Sequence, residues 1–93
     1  MDARESAETV ALRVLGWLAA RDDLLPVFLD ASGCDLADLR RRAGESEFLA
    51  SVVDFVLSDD AWVIAFSQDS GLPFEALARA RASLPGGTLP NWT

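Results

Sequence analysis

Apolar residues recur along most of this chain at the three-to-four spacing of a helix rather than the alternation of a strand. Ala7, Val10, Ala11, Val14 and Leu18 form one stripe, widened by Leu15 and Trp17, while Glu5, Glu8, Thr9, Arg13 and Gly16 gather on the opposite side. That pattern predicts an amphipathic helix from about Ser6 to Ala20, with Ser6 as its N-cap. Asp22 and Asp23 mark the start of a second helix. Pro26 falls in its first turn, where a missing N–H does no harm, and Gly33 ends it. Val27, Phe28 and Leu29 are expected to form its buried side. Asp35 and Asp38 have the spacing of a capping box for a short third helix, whose Leu36 and Leu39 are expected to face the core and which Gly44 closes.

The segment that starts at Ser46 is the most apolar. Glu47, Ser51, Asp54 and Ser58 make one narrow polar stripe, and Phe48, Leu49, Val52, Val53, Phe55, Val56 and Leu57 fill the rest. A helix of this kind is surrounded by protein on most sides, so about Glu47–Ser58 is expected to be the central helix. Ala61 to Phe66 could be a strand by composition, but no other segment offers it a partner and a lone strand is not stable. A helix to about Asp69, ended by Gly71, is the better reading. Pro73 then opens a last helix to about Leu84, with Glu75 and Arg79 as an i,i+4 pair. From Pro85 onward, glycine and proline break the pattern, so residues 85–93, including Trp92, are expected to form a flexible C-terminal tail. The fold class is therefore all-α: a compact bundle of five to six short helices, forming one domain over residues 1–84.

Composition narrows the chemistry. Of 93 residues, 51% are hydrophobic and 25% charged, which supports a packed core rather than disorder. There is no His, no Lys and no Tyr, and all eight basic residues are Arg. Acid–base catalysis near neutral pH mostly draws on His, a tuned Lys or a carboxyl of raised pKa, and zinc sites draw on Cys and His. No catalytic, cofactor-binding or metal-binding residue is assigned, and the chain is expected not to be an enzyme. The net charge of −7 opposes the phosphate neutralisation on which nucleic-acid affinity rests.

Cys34, the single cysteine, has no partner for an intramolecular disulfide, which fits a reducing cytoplasm. Val10–Ala20 approaches the apolarity of a signal-peptide core, but Asp2, Glu5 and Glu8 precede it and Arg13 interrupts it. No run reaches the ~20 apolar residues of a membrane span. A cytoplasmic protein without membrane association is expected.

The order of segments carries a resemblance. A leading apolar helix is followed by Phe28-Leu29 with Ser32-Gly33, then Asp38-Leu39-Arg40. Next come Phe48-Leu49-Ala50 with Val53-Asp54-Phe55, then a paired acidic start before Trp62 to Phe66. This resembles a family of small bacterial proteins catalogued only as a domain of unknown function, over nearly the whole chain to about Gly87. The matching residues are packing and turn residues. The resemblance implies a helical, bundle-like fold and transfers no activity, cofactor or partner.

Four features invite a functional reading. Arg40, Arg41 and Arg42 end the third helix, and Val27–Ala43 reads as helix, turn, helix. Such a unit could carry the arginines toward phosphate, or they could be a solvated cluster that complements the helix dipole and pairs with nearby acids. Cys34 precedes a helix start, where a thiol is activated, yet no His can serve as its base, and cysteine is often a small buried apolar residue. Asp22-Asp23 and Asp59-Asp60, with Asp54 near in sequence, could be imagined as Mg²⁺ or Ca²⁺ ligands, although acids at helix starts are what capping already explains. Trp92 could fold back onto the bundle or anchor a partner. The leading expectation is a non-enzymatic helical domain that acts through protein contacts, with itself as one candidate partner, because the fourth helix has more apolar surface than a thin bundle easily covers. The alternative is a small regulator that contacts nucleic acid through Val27–Ala43.

Overall fold

The most apolar segment becomes the hub of the structure. The computed structural model describes residues 2–85 and contains six helices and no strand among them. These are α1 (Ala3–Ala19), α2 (Leu25–Ser32), α3 (Leu36–Arg42), α4 (Ser46–Leu57), α5 (Asp60–Ser70) and α6 (Phe74–Ser83). In α4, Phe48, Leu49, Ala50, Val52, Val53 and Val56 are all buried, and only the Glu47, Ser51, Asp54, Ser58 stripe is open to solvent among its fully exposed positions. α1 packs on both α4 and α6, and α5 covers α4 and α6 in turn.

Aromatic rings tie the shorter helices to this hub. Phe28 of α2 meets Phe48 and Phe55 edge-on at 6.1 and 5.1 Å between centroids, and Phe55 stacks on Trp62 of α5 at 4.6 Å. Trp17 of α1 meets Phe66 edge-on at 5.5 Å and donates its Nε1–H to Asp69 at 2.7 Å. Burial of such rings is worth more than their area alone, by ~0.5–1.5 kcal/mol per well-oriented pair.

The helix ends follow the turn chemistry of the sequence with two exceptions. Gly33 and Gly71 close α2 and α5 in the left-handed region, at φ 73° and 80°, which other residues enter only with strain. Asp35 and Asp38 form the expected capping box. The first exception is α1, whose N-cap is Asp2 rather than Ser6: the Asp2 carboxylate accepts the Glu5 N–H at 2.8 Å. The extra turn is polar and exposed, so apolar periodicity, which begins at Ala7, carries no trace of it. The second is α2, which starts at Leu25 without a side-chain cap, because Asp23 pairs with Arg21 at 2.9 Å instead.

Three expected core positions are corrected. Val27 is 45% and Leu36 54% exposed. α2 and α3 touch the hub along one narrow line, held by Phe28 and Leu39, so neighbouring positions turn outward. The third is the surface of α4 that was expected to seek a partner: Phe55 and Leu57 are partly buried against the core, and the helix is covered from within the chain. Glu75 and Arg79 do not pair. Arg81 does, with Asp54 across the α4–α6 contact. The expected tail, Trp92 included, lies outside the described residues apart from Pro85.

Phe28→Ala removes the ring that joins Phe48 to Phe55 and is expected to lower the free energy of unfolding by about 3–5 kcal/mol. Ile64→Ala, at an outward position of α5, is expected to change it by less than about 0.5 kcal/mol. Urea unfolding followed by tryptophan fluorescence measures both.

Candidate functional site

The third helix positions the polar residues singled out by the sequence. The Asp35 carboxylate accepts the Asp38 N–H at 2.8 Å, and Asp38 accepts the Asp35 N–H at 3.2 Å. This reciprocal cap organises a seven-residue helix and sets Arg40, Arg41 and Arg42 in its last turn. Successive residues point about 100° apart around a helix, so the three arginines diverge. Arg41 pairs with Asp38. Arg42 Nε donates to Glu45 at 3.1 Å, its guanidinium lies 4.8 Å above the Phe48 ring, and its Nη1 donates to Cys34 Sγ at 3.7 Å. Among the described residues Arg40 alone of the three has no ion pair; it is exposed.

The same contacts shift charge equilibria. The Asp35 N–H, and then the positive charge of Arg41, hold the Asp38 carboxyl below the ordinary carboxylate range. The hydrogen bond from Arg21 does the same for Asp23. Glu45, with Cys34 beside it, raises the Arg42 guanidinium further.

Arg40 stands at the edge of a groove of about 430 Å³ between α1 and α3. Buried Leu15 and Leu39 form its floor, and Gly16, Ala19 and Ala43 keep it shallow and wide because they carry little or no side chain. Its two apolar walls are Leu12, 46% exposed, and Leu36. Of the large apolar side chains left outside the core, these two alone stand at this groove. A smaller cleft of about 130 Å³ lies between α1 and α6 with Arg79 at its edge.

The other candidates remain separate. Cys34 is half-buried between the Ser32 turn and Arg42. Asp59 caps α5 by accepting the Ala61 N–H at 2.8 Å, and Asp54 is taken by Arg81. No three His, Cys, Asp or Glu side chains converge as a metal site among the described residues. Trp92 lies outside those residues. The sequence reading missed the groove. Its trace was Leu12, a large apolar residue set among the polar positions of the first helix, one turn before Gly16.

The chain belongs to the family described as "Protein of unknown function (DUF3572)", whose model matches residues 4–87. No curated protein and no solved structure matches it.

The lowered carboxyls fix a pH dependence. A group more acidic in the folded than in the unfolded chain adds stability that is complete above its ordinary value, here 3.8, and is lost as pH falls through the lowered one. Asp38 and Asp23 are therefore expected to titrate below pH 3.8 in the native protein, as read from carboxyl carbon shifts by NMR. Asp38→Asn is expected to flatten the acid limb of the stability curve. A titration of Asp38 at or above the ordinary value would contradict the capping-box geometry.

Proposed function

We propose, from the premise of membership in this family of unknown function, that the chain is a non-enzymatic helical domain whose work is to bind protein through the α1–α3 groove. The observation that carries this reading is the groove itself: two exposed leucines flank an apolar floor, with an unpaired arginine at the edge. Apolar area edged by charge is the usual composition of a protein contact, in which the apolar centre gives affinity and the charge selects the partner. The reading is supported by a residue inventory without His, Lys or Tyr, which leaves few means for acid–base or covalent catalysis. We further propose that it works in a reducing, cytoplasmic setting, on the strength of a single half-buried cysteine. No helix among the described residues is long and apolar enough to cross a membrane.

The nucleic-acid alternative has less support. It needs Arg40, Arg41 and Arg42 free on one face, whereas Asp38 and Glu45 engage two of them, in a chain of net charge −7. A mobility-shift assay at low salt, where the phosphate attraction is strongest, is expected to show no complex. A salt-sensitive complex abolished by Arg40→Glu would restore the alternative.

A photo-crosslinking residue placed at Leu36 and expressed in the source cell tests the groove. A discrete protein adduct is expected from Leu36 and none from the same probe at Ile64. Adducts from both positions alike, or from neither, would remove the groove as a contact.

A further inference from the structure

We propose that the occupant of the groove is a second copy of this chain, with the two α1 helices packed antiparallel about a twofold axis. The proposal rests on the reading of the groove as a protein contact and names what fills it.

The first argument is shape. A twofold contact must be self-complementary, because each copy presents the same patch to the other. α1 carries a knob and a hole one turn apart. Leu12 projects from the helix, and at Gly16 a Cβ would meet nothing within 4 Å. An axis crossing α1 midway between them sets each Leu12 over the other copy's Gly16. Ala19 and Ala43 beside the hole allow the backbones to approach closely.

The second argument is charge. The acids near the exposed side of α1, Glu5 and Glu8, lie in its N-terminal half together with the capping Asp2. A parallel pairing would set these acids against each other. The antiparallel pairing carries them along the other α1 toward its C-terminal half, which shares the groove with Arg40, the arginine of α3 left without an acidic partner among the described residues. It also opposes the two helix dipoles favourably.

The third argument is exclusion. The surface that the sequence suggested for self-association, α4, is covered within the chain, so a pair must form elsewhere. α1 offers 17 residues, or about 25 Å of helix. That suits a modest interface, so the pair is expected to form at micromolar concentration and above.

The test is the mass in solution of the full chain by light scattering across a concentration series. The expected result is a rise from 10.0 kDa toward twice that value. Gly16→Leu fills the hole and is expected to weaken the pair at least tenfold, while the melting temperature of the dilute monomer rises, because leucine favours an exposed helix over glycine. That rise separates loss of the contact from loss of the fold. Arg40→Glu is expected to weaken the pair and Arg40→Lys to keep it. A monomer at every concentration would overturn the proposal, as would a dimer indifferent to both Gly16→Leu and Arg40→Glu. If the chain stays monomeric while the Leu36 probe still captures a heavier protein, the second copy is refuted and the binding reading stands. If Leu36 captures nothing, both fall.

Discussion

The enclosure of α4 is the constraint on which the other features depend. A helix apolar on all but one narrow stripe has no stable place at a surface, and in a chain of 93 residues every remaining element is needed to cover it. α1, α5 and α6 supply the walls, and Phe28 reaches in from α2 to close the remaining side. A domain of this size buries a smaller share of its surface than a large one and has a narrow margin of stability. The aromatic chain from Phe28 through Phe55 to Trp62 therefore matters beyond its area: it joins three helices that few other side chains connect.

Because the core is spent on α4, the periphery is thinly attached. α2 and α3 each bury one large residue, Phe28 and Leu39. The rest of their stability comes from ends: a left-handed glycine at Gly33, a reciprocal cap at Asp35 and Asp38, and the pairs that Arg41 and Arg42 make with neighbouring acids. The same economy produces the groove. Where α3 meets α1 through Leu39 and Leu15 alone, Leu12 and Leu36 have nothing to cover them. The candidate contact is thus a consequence of how the chain distributes too few apolar layers over six helices.

Much of the architecture was legible in the sequence because it is written in local rules. The apolar run from Phe48 to Leu57 identified the hub, the Asp35–Asp38 spacing identified the cap, and Gly33 and Gly71 identified helix ends, since each follows from periodicity or backbone conformation within a few residues. Ala61–Phe66 was readable as helix because a strand there would have no partner. What escaped depends on distant neighbours. Leu36 looked like core by its spacing, and only the narrow line of contact of α3 shows that it faces outward. The links of Asp54 to Arg81, Asp69 to Trp17, and Glu8 to Ser46 join positions far apart in the chain. The groove combines both cases, for its walls come from helices separated by α2, and Leu12 alone hinted at it. The arginine run was visible at once, yet its division among Asp38, Glu45 and the open groove edge required the turn of α3.

The account depends most on α4 as the last element to open. Native-state amide hydrogen exchange followed residue by residue reads this directly, because amides protected only by global unfolding report the full stability of the domain. The expected result is that Val52, Val53 and Val56 in α4 exchange slowest, at the global rate, while amides of α2 and α3 exchange earlier through local opening. Exchange in α4 as fast as in α3 would contradict a structure organised around that helix.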